Sequence, residues 1–244
     1  DRMKIALAQI EPTKGNIASN IDSHVRWIEI AASEKVGLIV FPELSLTGYE
    51  PTLAIELAME QNDNRLEPFQ KLSDLHAITI TMGLPLKSNK GIHISMLIYQ
   101  PQAQRHTYSK QMLHLDEKPF FVEGSEQTIF SKEDLNIAPA ICFESLQAEH
   151  AENASRLGAN CYLASVAKSQ FGITKAFDHY PKIATKHAMP VLMVNSIGYC
   201  DNFTSAIQSS VWNEQGTLIG QLDSKSQGLL IYDTTSKTVC QRSN

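Results

Sequence analysis

The sequence predicts an α/β fold of mixed β-sheet covered by helices, in one domain spanning residues 1–244. Short apolar runs bounded by turn residues alternate with amphipathic stretches of helical period in the first half of the chain. Strand-like runs dominate the last third, and their even spread over the whole length favours two stacked sheets over one open sheet. No linker, low-complexity run or short repeat interrupts them.

Lys4–Ile10 reads as a first strand. From Ile17 to Lys35 the period changes: Ile17, Ile21, Val25, Ile28 and Ala32 recur three or four apart, which makes one buried helical face. Gly37 closes that helix, and Leu38–Phe41 is a short apolar run of the kind buried in a sheet. A second helix is expected over Asn64–His76, then strands over Ala77–Leu84 and Ile92–Tyr99, with a turn through Pro101 into a further strand. Leu135–Ile141 reads as a strand that must be irregular or partly unpaired at Pro139, because proline has no N–H for the ladder. Glu144–Leu157 reads as a helix stopped by Gly158, Cys161–Val166 as a strand, and Lys175–His187 as a helix with a kink point at Pro181. Strands over Val191–Ser196, Ser209–Trp212, Leu218–Leu222 and Leu229–Tyr232 complete the expectation.

Composition excludes several classes. Hydrophobic residues make up 43% and charged residues 19%, as in an ordinary globular protein. A net charge of −5 with scattered basic residues offers no nucleic-acid footprint. No apolar run reaches the ~18 residues a membrane helix needs. The start, Asp1-Arg2-Met3-Lys4-Ile5, shows no secretory signal and runs straight into a strand, so Met3 reads as the native start. Cys142, Cys161, Cys200 and Cys240 form no C-x-x-C pair or dense framework, which predicts a reducing, cytoplasmic setting. No clustered His/Asp/Cys spacing suggests a metal, and no cofactor is expected.

Three places put a reactive side chain at the end of an apolar segment, where sites of α/β proteins lie. Glu43 follows Phe41-Pro42 at once; alone it also reads as a surface loop carboxylate. Lys110 sits in His106-Thr107-Tyr108-Ser109-Lys110 and is followed by Glu117, Phe120-Phe121 and Gly124; alone it also reads as a solvated loop lysine. Cys142, in Ala140-Ile141-Cys142-Phe143-Glu144, ends a strand and precedes a helix, a turn that presents a nucleophile and aims backbone N–H groups at a developing anion. Alone it also reads as an inert core cysteine. Together the three supply a base, a cation and a nucleophile, the minimum for acyl transfer through a thioester. No histidine is placed for a Cys–His pair.

These motifs resemble those of the nitrilase superfamily, the carbon–nitrogen hydrolases. Glu43 lies in Phe-Pro-Glu-Leu followed by Thr47-Gly48-Tyr49, Lys110 in Tyr-Ser-Lys with Leu113 beyond, and Cys142 in Ile-Cys-Phe-Glu. Gly158-Ala159-Asn160, Val194-Asn195-Ser196 with Gly198, and Ser210-Val211-Trp212-Asn213 with Gly216 match flanking segments, so the likeness runs from Ile5 to about Asp233. Two places depart from many relatives: Glu144–His150 replaces an Arg-Phe-Pro-Glu-like stretch, and Tyr180–Thr185 an Arg-Ala-x-Glu motif. The resemblance implies a four-layer α-β-β-α sandwich that pairs through its outer helices into a homodimer or larger homo-oligomer. It implies an amidase acting on a small amide through a Cys142 thioester, with Glu43 as general base, Lys110 and the Phe143 N–H on the oxyanion, and Glu117 as a second active-site carboxylate. A nitrile or N-carbamoyl substrate, a soluble N-acyltransferase and a non-catalytic binding protein are the alternatives. Tyr49, Phe121, Phe143 and the Lys168-Ser169-Gln170-Phe171 loop are candidate pocket residues, with Glu144 for a substrate amine and Lys168 for a substrate carboxylate.

Overall fold

The computed structural model describes residues 3–222 and 225–244; Asp1 and Arg2, read above as preceding the native start, lie outside them. In chain order the elements are β1 (Lys4–Gln9), α1 (Ile17–Ser33), β2 (Leu38–Val40), α2 (Ala54–Leu57), α3 (Glu67–His76), β3 (Thr79–Ser88), β4 (Gly91–Tyr99) and β5 (His106–Ser109). There follow β6 (Phe130–Lys132), β7 (Leu135–Ile141), α4 (Ala148–Arg156), β8 (Cys161–Ser165), α5 (Gln170–His187), β9 (Val191–Val194), β10 (Ile197–Cys200) and β11 (Phe203–Ala206). The chain closes with β12 (Ser209–Trp212), β13 (Leu218–Leu222), β14 (Gly228–Asp233) and β15 (Thr238–Ser243).

Among the described residues the strands form a seven-stranded sheet, β15-β14-β1-β2-β3-β4-β5, a six-stranded sheet, β13-β12-β9-β8-β7-β6, and the separate hairpin β10-β11. Both large sheets are mixed: β1-β2-β3 and β7-β8-β9 run parallel, and their outer strands pair antiparallel.

Side-chain alternation builds the layers. In β1, Ile5 and Leu7 face one way, and Ala6 and Ala8 the other. Ile5 and Leu7 join Val40, Ile94, Ile98, Ile137, Leu163 and Leu192 in a core drawn from both sheets. Ala6, Ala8, Ile39 and Ile80 pack instead under α1 and α3, against Trp27, Ile28 and Phe69. Ala138, Ala140 and Ala164 of the second sheet lie under α4 and α5, with Ala151, Ile173, Ala176 and Tyr180. Three apolar cores separate four layers, so the molecule is an α-β-β-α sandwich. The alanines on the outer sheet faces let the helices come close, while larger side chains fill the space between sheets.

Several expected elements differ in detail. Helix α5 starts at Gln170 rather than Lys175, because the Ser169 side chain caps it by accepting the Gly172 N–H. The expected helix over Glu144–Leu157 is broken: Cys142–Leu146 is a 3-10 helix, Gln147 is extended, and α4 begins at Ala148. Pro139 lies in β7 beyond the end of β6, which pairs only with Leu135–Ile137, so its missing N–H interrupts no ladder on that edge. The hairpin β10-β11 and the edge strand β15 carry too little alternating apolar pattern to be read from sequence; β15 is almost wholly exposed.

Candidate active site

The loop after β2 delivers Glu43. Leu44 adopts a left-handed backbone (φ 54°), and the turn crosses β3 at Gly83. A Cβ there would stand 2.4 Å from Leu44 N and 2.8 Å from Pro42 O, so only glycine admits the loop at this depth. Behind it, the His24 ring stacks on Phe41 at 4.1 Å and hydrogen-bonds the Ser45 hydroxyl at 2.8 Å. Burial holds the His24 imidazole down at about 4, hence neutral.

Lys110 follows β5 and keeps its backbone in the sheet, donating to Ile94 O at 2.8 Å. Gly124 donates to Lys110 O, and a Cβ on Gly124 would meet Ser109 O at 2.3 Å. The Lys110 side chain is fully buried. Its ammonium donates to Glu43 Oε2 at 2.8 Å and to Glu117 at 3.0 Å. Glu117 also accepts the Tyr49 hydroxyl at 2.6 Å and the His114 N–H at 2.8 Å. Burial alone would lower the Lys110 ammonium, but Glu43, Glu117 and Cys142 hold it above its ordinary value. The lysine is therefore a cation at every working pH.

Burial pushes Glu43 up to about 7 despite the pull of Lys110, with Glu117 adding repulsion. Its Oε1 is buried and has no hydrogen-bond partner among the described residues. Cys142 stands at the end of β7 in a left-handed conformation (φ 50°), the strained turn that exposes a nucleophile. Its Sγ lies 3.7 Å from Ala167 O. Burial and the Glu43 carboxylate raise the thiol above its ordinary value, while Lys168 and Lys110 draw it down. Cys142 thus rests as a thiol, which could act as a nucleophile only with a base, and Glu43 has one oxygen unengaged among the described residues. The Phe143 N–H lies in the first turn of the 3-10 helix, where no helical carbonyl can accept it.

A cavity of about 520 Å³ opens over this group. Tyr49, Lys110, Glu117, Cys142, Phe143 and Lys168 all line it. Four sequence candidates do not: Glu43, which sits behind Lys110, and Gln170, Phe121 and Glu144. Phe121 packs into the core between the sheets, where its ring leaves water, and its neighbour Phe120 lines the cavity instead. Glu144 is fully buried and offers nothing to a substrate amine. Its Oε1 accepts the Gln111 N–H at 2.8 Å and its Oε2 the Ile141 N–H at 2.8 Å, with Tyr108 and His150 completing the shell. Although burial acts the other way, His150, Tyr108 and the Ile141 N–H keep this carboxyl below its ordinary value. Glu144 therefore ties the segment after Lys110 to the strand end before Cys142.

Sequence reasoning missed other parts of the wall: His114, His179, and Asp201, Asn202 and Phe203 at the β10-β11 turn. The Asp201-Asn202 turn dipeptide was a local signal for that hairpin, but the flanking residues lack the apolar alternation that would identify its strands. Among the described residues no group of His, Cys, Asp and Glu could hold a metal, and no helix is long and apolar enough to cross a membrane.

The sequence profile of the carbon–nitrogen hydrolases matches residues 4–242. The chain belongs to the carbon–nitrogen hydrolase family. Its curated relatives include the glutamine-dependent NAD(+) synthetase of Acinetobacter baylyi, 26% identical over 237 residues, which cover 93% of this chain and 43% of that protein. The 2-oxoglutaramate amidase of Bacillus subtilis is 26% identical over 165 residues, 66% of this chain and 63% of that protein. The chain thus spans less than half the length of the NAD(+) synthetases it matches. Among solved structures, a variant of the amidase from Nesterenkonia sp. AN1, with acrylamide added at its active-site cysteine, superposes with a TM-score of 0.88. It is 21% identical, and the match covers 96% of this chain and 94% of that one, so this carbon–nitrogen hydrolase shares its fold.

Proposed function

We propose that the chain hydrolyses the C–N bond of a small primary amide through a thioester on Cys142, releasing ammonia. One observation carries this reading: a buried Glu43–Lys110–Glu117 cluster with an unengaged Glu43 oxygen, beside a cysteine held in a left-handed turn. The relatives add support. They are named for glutamine and for 2-oxoglutaramate, and the structural neighbour carries acrylamide; each compound bears a primary carboxamide.

Glu43 Oε1 takes the Cys142 thiol proton as the sulfur attacks the amide carbon. An ammonium has three N–H bonds. Glu43 and Glu117 engage Lys110, and its remaining N–H, with the Phe143 N–H, is available to the oxyanion. Protonated Glu43 returns its proton to the departing nitrogen, the C–N bond breaks, and ammonia leaves. Water then gives a proton to Glu43 and attacks the thioester, releasing a carboxylic acid and the thiol. Glu117, held by Tyr49 and the His114 N–H, positions Lys110. Four free cysteines, one of them the nucleophile, suit a reducing cytoplasm. Pairing of copies through the outer helices belongs to the same reading.

Ammonia release from a panel of primary amides, measured with the native chain and with Cys142→Ala, tests the proposal. Release by the native chain alone, with a transient acyl adduct on Cys142 by intact mass, is the expected result. Release that survives Cys142→Ala overturns it, and an adduct discharged only to an added amine identifies acyl transfer instead.

A further inference from the structure

The cavity wall carries four charged groups that the reaction above does not use, Lys168, Lys175, Asp116 and Asp201, and of these only Lys168 is buried. Lys168 is only 4% exposed and lines the cavity, yet its ammonium has no ion pair or hydrogen bond among the described residues. Its position is built. The Lys168 N–H donates to Asn195 Oδ1 at 3.0 Å, and its carbonyl accepts from Ala206 N at 2.8 Å and Asn195 Nδ2 at 3.2 Å. Its stem runs over Gly172, where a Cβ would sit 3.3 Å from Lys168 Cβ and Cγ.

The α5 side of the wall has the same character, although Asp116 and Asp201 also line the cavity. Gly172, Lys175 and His179 share one face of α5, Lys168 lies just ahead of its N-cap, and all four line the cavity. Lys175 lies 4.5 Å from the Phe171 ring centre. His179 Nε2 is buried without a partner, its imidazole kept neutral by burial and by the Lys182 and Lys168 charges, so it can donate a second hydrogen bond. The N-terminal end of α5 adds its dipole. The ammonium makes no direct hydrogen bond or ion pair among the described residues, so an anion entering the cavity gains a charge-assisted hydrogen bond without displacing a protein partner.

We propose that Lys168 is the anchor for a carboxylate on the acyl chain of the substrate, which makes the substrate the mono-amide of a dicarboxylic acid. This rests on the hydrolytic reading of the site. The Lys168 charge is also felt at Cys142 and Glu43. A lysine present only to steady the thiolate would affect every substrate alike, whereas an anchor affects those with a carboxylate.

Calorimetry on Cys142→Ala, with succinamate against butyramide and glutaramate against valeramide, decides between them without turnover. The carboxylate of at least one pair should bind about 10- to 100-fold tighter, the worth of a charge-assisted hydrogen bond. The preference should fall within about twofold in Cys142→Ala/Lys168→Met and return in part in Cys142→Ala/Lys168→Arg. Equal affinity within both pairs, no measurable binding, or a preference that survives Lys168→Met overturns the anchor. In the otherwise native chain, Lys168→Met should raise KM for the carboxylate amide far more than it changes kcat. An equal fall in kcat for charged and neutral amides also overturns it. Ammonia release from neutral amides with no carboxylate preference would sink the anchor and leave the hydrolytic reading standing.

Discussion

Replacing Glu144 with alanine should damage the fold itself, which separates a buried structural carboxylate from one that faces substrate. The side chain accepts the Gln111 and Ile141 N–H groups at 2.8 Å, the Met112 N–H at 3.4 Å and the Tyr108 hydroxyl. Alanine leaves the two well-made N–H donors without an acceptor. Each orphaned donor costs about 1–3 kcal/mol. Tyr108 is less exposed to the loss, since its hydroxyl still has His150 Nε2 at 2.9 Å. The sum is about 4 kcal/mol, within the range for removing one partner of a buried charged network. That is a large share of the 5–15 kcal/mol typical of a whole domain. Urea unfolding at pH 7 should show the extrapolated unfolding free energy falling by that amount, and kcat should drop in the protein that stays folded, because the Lys110 and Cys142 segments lose their tie. Glu144→Gln should fall between the two, since its amide nitrogen would face donors. A change below about 0.5 kcal/mol, with a raised KM, would refute the reasoning and return Glu144 to the substrate.

Other expectations follow from the same geometry. The acid limb of kcat/KM should lie near pH 7, where burial sets Glu43, and the rate should rise with pH through that value as the base loses its proton; a limb near the ordinary value of about 4.3 would remove Glu43 as base. His24 titrates at about 4 in the fold against an ordinary 6.5, so between those values the unfolded chain binds more protons and stability rises with pH. The window is worth about 3 kcal/mol at 1.36 kcal/mol per unit, and His24→Gln should flatten the unfolding free energy across it; an unchanged slope would count against the assignment. Gly83→Ala should destabilise by about 1–3 kcal/mol by overpacking, and should lower kcat as the Glu43 loop moves; native kcat would show that the loop yields freely. Tyr49→Phe removes the 2.6 Å hydrogen bond to Glu117 and should lower kcat/KM about tenfold at unchanged melting temperature.

Legibility from sequence followed the range of the interactions. Cys142, Glu43 and Lys110 could be read because each sits at the end of an apolar run within a short motif, and strand ends are where side chains leave the core. Glu117 was legible only through the family resemblance of the segment after Lys110. Glu144 looked like a carboxylate in the first turn of an exposed helix. Its acceptor role depends on Gln111, 33 residues away, and on Tyr108, 36 away, so no local pattern could show it. Phe121 looked like an aromatic pocket wall beside Glu117, but of the two adjacent phenylalanines it is Phe120 that lines the cavity and Phe121 that fills the core, a choice that no local pattern shows.

By itself the sequence pointed to acyl transfer at a cysteine and to two stacked sheets, and its resemblance to the carbon–nitrogen hydrolases implied the four layers. Which face of β1 is which was left to the structure: Ile5 and Leu7 meet the other sheet, and Ala6 and Ala8 lie under helices. Only the tertiary structure decided which charges meet and which stand alone. Lys110 is satisfied by Glu43 and Glu117, while Lys168, of the same residue type and nearly as buried, has no partner among the described residues. Residue type sets what a group can do, but the energy of a buried charge depends on neighbours brought from distant parts of the chain, and those neighbours are set by packing.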